Sequence, residues 1–262
     1  MHPSRYHAML VTDIEDWGGR PGAVQARLQE ALGTILMQAI AAAGVDGGRV
    51  RRTSRGDGAI VAFPADVPKE TITADLVKAL NRGLRLHADE CPVDETIRLR
   101  VALHAGDVQD RGDEWAGAAV VTACRLVDSE VLHRVLAAAA SAVLAVIVSD
   151  EWFDAVLRER WADPTGYDPV RPAVKDYDRG AWIRVPGMSH PPGLRESDRA
   201  ADGSLTGADG ASAPGADQMA RGGAFIVAGR DNYGGNSGGS QHFGGRNVFY
   251  GSVDESSQRW SR

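Results

Sequence analysis

The sequence predicts an α+β domain in which helices pack on a mixed sheet, followed by a Gly-rich tail. Three observations carry this reading. Short apolar runs bounded by turn residues alternate with stretches whose apolar residues recur at three- and four-residue steps, in the approximate order β-α-β-β-α-β-α-β. The chain of 262 residues exceeds one average domain and falls short of two. Past Gly187 the composition shifts to Gly, Ala, Ser, Asp and Pro, with too few large apolar groups to offset chain entropy.

Residues 7–14, HAMLVTDI, read as a buried strand whose carboxyl end carries Asp13, Glu15 and Asp16. Pro21 suits the first turn of the next helix. Over 24–43, Val24, Leu28, Leu32, Ile35, Leu36 and Ile40 form one helical face, which Gly47-Gly48 ends. Residues 49–54 and 59–63 form a hairpin across Arg55-Gly56-Asp57-Gly58, with its acid at the tip. A second amphipathic helix spans 72–87 and stops at Cys91-Pro92. From 96 to 108, Ile97, Leu99, Val101 and Leu103 alternate with Arg98, Arg100 and His104, which predicts a long half-buried strand. Helices are expected over 115–126, 131–140 and 151–161, a strand over 142–148, and a final strand or hairpin over 174–185. The domain is therefore 1–187, with a flexible linker over 188–221 and a low-complexity Gly/Asn-rich tail over 222–262, a composition prone to β stacking between chains.

A formal net charge of −6 argues against a general nucleic-acid binder, which needs a basic excess to neutralise phosphates. Two cysteines, Cys91 and Cys124, give neither a disulfide framework nor a zinc site, and a reducing cytosol fits them. The N-terminus lacks a secretory pattern. The longest apolar run, 135–148, has about 14 residues, short of a membrane span. The expectation is a soluble, cytoplasmic protein with neither nucleic acid nor membrane as partner.

Asp13 and Asp57 are the acids of most interest. Should their strands be neighbours, both carboxylates face one edge, where they could clamp a hard cation such as Mg²⁺ or Mn²⁺. Two such ions could bridge a nucleoside triphosphate, while Gly56 and Gly58 let backbone approach phosphate oxygens. On spacing alone, a solvated Gly-Asp-Gly turn and a strand-capping acid account for the same residues. The arginines at 49, 51, 52 and 55 read as a solvated strand face, with phosphate binding as the alternative.

Four blocks sharpen this. VTDIEDWG resembles the DI-x-G-F strand end of class III adenylate/guanylate (nucleotidyl) cyclases, and SRGDGAIVAF is similar to their glycine-aspartate hairpin. LRVALHAGDV resembles their IGIHTG strand, and GAAVVTACRL their G-x-x-V-N-x-A-x-R helix. The blocks stand in the family's order and cover most of residues 6–127. The resemblance implies a ferredoxin-like mixed and antiparallel sheet, and a homodimer with head-to-tail sites at the subunit interface. It implies two Mg²⁺ or Mn²⁺ ions per site, held by Asp13 and Asp57 with the Ile14 carbonyl as an auxiliary ligand. Arg125, from the opposing subunit, would stabilise charge as the ribose 3′-hydroxyl attacks the α-phosphate; without the motif it reads as a helix-surface cation.

The departures matter as much. The family's asparagine falls on Val121, which has no hydrogen-bonding group. The purine-selecting lysine falls on Thr53, and the other base-reading position on Asp113 or Glu114. Asp16 and Trp17 replace the family's glycine and phenylalanine. Adenine specificity is thus unsupported, and because bacterial pyrimidine cyclases of antiphage defence share the scaffold, UTP and CTP stay open. ACRLVDSEVL and VKDYDRGAWIRVPG are similar to segments of uncharacterised actinobacterial cyclase-homology proteins. Asn236, Gly239, Gln241, Gly244 and Asn247 resemble amyloid signalling motifs of the necroptosis-adaptor type, which implies a homotypic partner; a plain disordered tail is the alternative. Two functions follow: a signalling cyclase, or an inactive nucleotide-binding or assembly adaptor.

Overall fold

A computed structural model describes residues 3–112, 115–174 and 177–199. The chain opens with strand β1 (Ser4–Ile14) and helix α1 (Gly22–Ala42), followed by the hairpin β2 (Arg51–Ser54) and β3 (Gly58–Pro64). A short α2 (Lys69–Thr71) runs through a wide π turn (Ile72–Leu76) into α3 (Val77–Glu90). Then come β4 (Leu99–Asp110), β5 (Trp115–Ala116), α4 (Ala118–Val127), α5 (Glu130–Ala138) and β6 (Leu144–Ser149). Helix α6 (Asp150–Trp152) continues as a wide turn over Phe153–Arg158, and β7 (Asp168–Val170) and β8 (Ala181–Arg184) complete the sheet.

The strand order is β2-β3-β1-β4-β6-β8-β7, with β5 on the end of β4. The first four strands thus take the ferredoxin-like arrangement, with β1 antiparallel to both β3 and β4, and β6 joins β4 in parallel. Alternate residues of β1 enter two different cores. Ala8, Leu10 and Ile14 pack with α1, α3 and α6, whereas Met9 and Val11 pack with α4 and α5. The domain is therefore three layers, and its central strands are covered on both faces, where each fully buried aliphatic side chain contributes about 1.5–3 kcal/mol.

Coverage of the second face corrects the sequence reading of β4. Arg100 and His104, expected on the polar side of a half-buried strand, are 8% exposed each: Arg100 lies against Asp13 and near His133 of α5, and His104 bonds to Ser149 at the end of β6. The helix expected from 115 starts at Ala118, after two residues have paired with β4 as β5. Strand β7 was missed because Pro169 breaks its pattern; it lies at the sheet edge, where a missing amide is tolerated. Residues 188–199, whose composition reads as linker, lie on the domain. Leu194 packs against the second core, Arg134 pairs with Asp198 at 2.5 Å, and Val170 bridges to Arg199. The linker from residue 200 and the whole tail lie outside the described residues. No helix among the described residues is long and apolar enough to cross a membrane.

One glycine holds the central sheet together. A Cβ at Gly58 would sit 1.9 Å from the Thr12 carbonyl oxygen, so β3 approaches β1 only because that atom is absent. Gly58→Ala is expected to cost at least about 3 kcal/mol, or to prevent folding. Gly22→Ala, at a helix start with nothing within 4 Å, should leave the urea midpoint unchanged or raise it. Paired urea melts check both outcomes.

Candidate functional site

Two turns of chain bring the acids to one sheet edge. Asp13 is the penultimate residue of β1, and Asp57 is the last residue before β3. Asp13 lies opposite Gly58 in the β1–β3 register, and the Ile14 amide donates to the Asp57 carbonyl at 2.7 Å. Asp13, Ile14 and Asp57 are consequently side by side. Gly56 closes the hairpin turn with φ of 72°, a left-handed conformation that glycine adopts without penalty. Gln29 of α1 donates to the Gly56 carbonyl at 2.8 Å and ties the tip to the helix. The need for glycine at 58 is accounted for by the backbone of Thr12 and Asp13.

Asp13 is buried together with a cation. Arg100 stands opposite it in the β1–β4 register, with Nε 2.5 Å from Oδ2 and Nη2 against the same oxygen. Burial pushes the Asp13 carboxyl up to about 6 against the pull of this guanidinium, and the negative charges of Asp57 and Asp128 push the same way. A carboxyl raised despite an adjoining arginine marks a strongly desolvated site. Hard oxygen donors in such a setting suit Mg²⁺ or Mn²⁺. Asp13 and Asp57 are of the donor type that the resemblance's ligand set asks for, and the register brings their backbones side by side with that of Ile14. No group of three or more His, Cys, Asp or Glu gathers among the described residues, so water and phosphate would complete any coordination.

Beyond the strand end the pattern repeats. Arg98 Nη1 lies 2.5 Å from Glu15 Oε2, and the same guanidinium donates to the carbonyls of Ala142, Ala139 and Leu136. It thereby adds a charged donor to carbonyls at and just past the end of α5 and ties that end to Glu15, the residue after β1. His133 of α5 is held neutral: burial and the positive charge of Arg100 lower it to about 4. Asp16, at the position where the resemblance has glycine, has φ of 57°, a left-handed conformation that aspartate tolerates better than most residues.

On α4, Val121 and Arg125 share the more accessible side, four residues apart, while Ala119, Val120, Ala123 and Cys124 are buried. Arg55 at the hairpin tip donates to Cys124 Sγ at 3.1 Å, linking the tip to α4. Thr53 accepts a hydrogen bond from Trp115 Nε1 at 3.2 Å, so its hydroxyl is already half used. Asp113 and Glu114 lie outside the described residues. Arg49 pairs with Asp66, and Arg51 with Asp110, which accounts for two of the four arginines without phosphate. His104 Nδ1 lies 2.8 Å from Ser149 Oγ in the buried layer, a structural hydrogen bond. The sequence reading missed Arg100 and His133. An arginine within a strand that alternates with apolar residues was the available signal for the first.

Comparison with known proteins shows what this scaffold is. No protein-family model matches the chain, and no curated protein matches it. Among solved structures, an adenylate/guanylate cyclase/hydrolase from Silicibacter pomeroyi is similar with a TM-score of 0.52 at 21% identity, over 71% of this chain and 99% of that one. The chain has a class III nucleotidyl cyclase fold. The catalytic core of a rhodopsin-guanylyl cyclase with converted specificity (TM-score 0.49, 15% identity, 71% and 100% covered) and the guanylyl cyclase Cya2 (0.48, 15%, 74% and 98%) are also similar. None of these comparisons bears on the actinobacterial resemblance.

The cyclase-fold site carries a pH signature. As pH falls from about 6.5 to about 4, the unfolded chain takes up a proton that native His133 refuses, so His133 lowers stability across that window. Asp13 opposes this, because its raised carboxyl takes up a proton in the native state from about 6 downward. His133→Gln should flatten this part of the stability curve relative to wild type. Urea midpoints at half-unit steps from pH 4 to 7 test it; parallel curves would show that His133 does not titrate as its surroundings require.

Proposed function

We propose that the chain is a class III nucleotidyl cyclase-like signalling domain that converts a nucleoside triphosphate into a 3′,5′-cyclic nucleotide and pyrophosphate. The observation that carries this reading is the register placing Asp13 opposite Gly58, which sets Asp13, Ile14 and Asp57 together at one edge of a cyclase fold. Asp13, Asp57 and the Ile14 carbonyl would hold Mg²⁺ or Mn²⁺, two ions per site. Bound there, the ions supply Lewis acidity toward the attacking hydroxyl and the phosphates.

The remaining roles fall to this chain's own groups. The Gly56-Asp57-Gly58 backbone borders the triphosphate. The 3′-oxygen bonds to the α-phosphorus while the bond to pyrophosphate breaks, and the hydroxyl proton leaves to solvent. Arg125, on the accessible side of α4, faces the developing charge across the interface of a homodimer, where a fixed cation acts most strongly on a spreading phosphoryl charge. Thr53 and Glu114 border the base. With only a half-engaged hydroxyl at Thr53, no purine is selected, so UTP and CTP are candidates beside ATP and GTP.

A second reading is favoured by two specific features. Val121 offers no hydrogen bond where the family has asparagine, and Asp13 already has a cation. An inactive cyclase-like dimer that binds a nucleotide and assembles through its tail, as a defence adaptor, would show both. The tail proposal rests on the motif at 236–247 alone, and cytoplasmic residence rests on composition.

Incubating the protein with each of the four triphosphates and Mn²⁺, and resolving the products by mass, decides between the two. The cyclase reading expects one cyclic nucleotide, lowered at least about a hundredfold by Asp57→Ala. Product formation indifferent to that substitution removes the site assignment. Metal-dependent nucleotide binding without product supports the adaptor. For the tail, fibres that bind an amyloid dye are expected from a peptide spanning 222–251, and a peptide that stays monomeric at high concentration refutes the motif.

A further inference from the structure

Arg100 is a buried cation beside Asp13 to which the reaction proposed above assigns no role. It is not a surface cation that swings toward whatever is near. Its side chain is 9% exposed, that of Asp13 is 12% exposed, and both of its contacts to that carboxylate fall on one oxygen, Oδ2. It sits on β4, the strand beside β1, so its Cα is fixed directly opposite that of Asp13 by the register. A buried guanidinium without its carboxylate would be strongly unfavourable, so the pair persists in the folded chain.

We propose that Arg100 is a built-in counter-cation that weakens divalent-ion binding at Asp13, so that the site loads metal only when triphosphate brings further negative charge. This rests on the metal-site reading above. Charge and geometry both support it. With Asp13 and Asp57 ionised, Arg100 cancels one of their two negative charges, so these three groups offer a divalent ion half the charge that the two acids alone would. Arg100 also takes Oδ2, which confines a cation to Oδ1 and removes chelation by the whole carboxylate. A positive charge buried within a few ångströms of a divalent ion is repelled far more strongly than one in water.

The consequence is a coupling between metal and nucleotide. Free Mn²⁺ binds poorly and Mn²⁺ with triphosphate binds well, because the phosphates offset the arginine. Affinity for each ligand then rises by the same factor in the presence of the other, as linkage requires.

Binding of Mn²⁺ alone, followed by the loss of its free-ion paramagnetic resonance signal, tests this without turnover. Arg100→Gln keeps a donor for Asp13 but removes the charge, and Arg100→Lys keeps the charge but not the fork; both are first checked by circular dichroism for native structure. The expected result is at least about tenfold tighter Mn²⁺ binding by Arg100→Gln, with Arg100→Lys within about threefold of wild type. Equal or weaker Mn²⁺ binding by a folded Arg100→Gln overturns the proposal. Should Arg100→Gln not fold, wild type and Arg100→Lys carry the test through linkage: Mn²⁺ affinity raised at least about tenfold by a non-cyclisable triphosphate analogue supports the proposal, and an unchanged affinity overturns it. Asp57→Asn separates the two levels. If it abolishes Mn²⁺ binding while Arg100→Gln has no effect, the metal site is right and the role of Arg100 is wrong. If Mn²⁺ binds equally with and without Asp57, the metal-site reading itself fails.

Discussion

A carboxylate and a guanidinium buried against each other, Asp13 and Arg100, set the terms for the rest of the domain. Placing both below the surface requires a strand to present each, a register that opposes them and a second helical layer that seals them from water. β1 and β4 supply the first two, and α4 and α5 supply the third. Burial of charge on this scale is costly unless paired, so the arrangement constrains β1 and β4 to one relative position. Glu15 and Arg98 repeat the constraint at the strand end, where Arg98 also fastens α5 to the sheet through three carbonyls.

The same constraint shapes the proposed chemistry. The raised Asp13 carboxyl reflects chiefly its burial, which outweighs the pull of Arg100, with Asp57 and Asp128 adding to it. Asp57 reaches the site through a hairpin whose tip is held by Gln29 from one side and, through Arg55, by Cys124 from the other. A tip pinned by two helices from opposite layers fixes the backbone that carries Asp57 before any ligand arrives.

Much of the fold was legible from pattern. The apolar run ending in TDI is a buried strand, and the turn between Arg55 and Gly58 does carry its acid to the tip. The helical periodicity of α1 marks the residues that enter the first core. What escaped the pattern shares one cause. Arg100, His104 and His133 are polar residues whose burial depends on a layer contributed by distant segments, and a period of two in β4 reads alike whether its polar side meets water or α4 and α5. β7, with its proline, and residues 188–199, with their linker-like composition, are likewise held by partners far along the chain.

The sequence by itself determined the order of elements, the acids at two strand ends, the arginine of α4 and the valine at the position where an asparagine would help catalysis. These are local properties: periodicity, turn chemistry and residue identity do not depend on what packs above them. Only the tertiary structure decided that Asp13 is already paired, that its partner is Arg100, and that Thr53 is engaged by Trp115. Each of those depends on strand register and on a second helical layer, which join residues separated by tens of positions and leave no periodic trace in the chain.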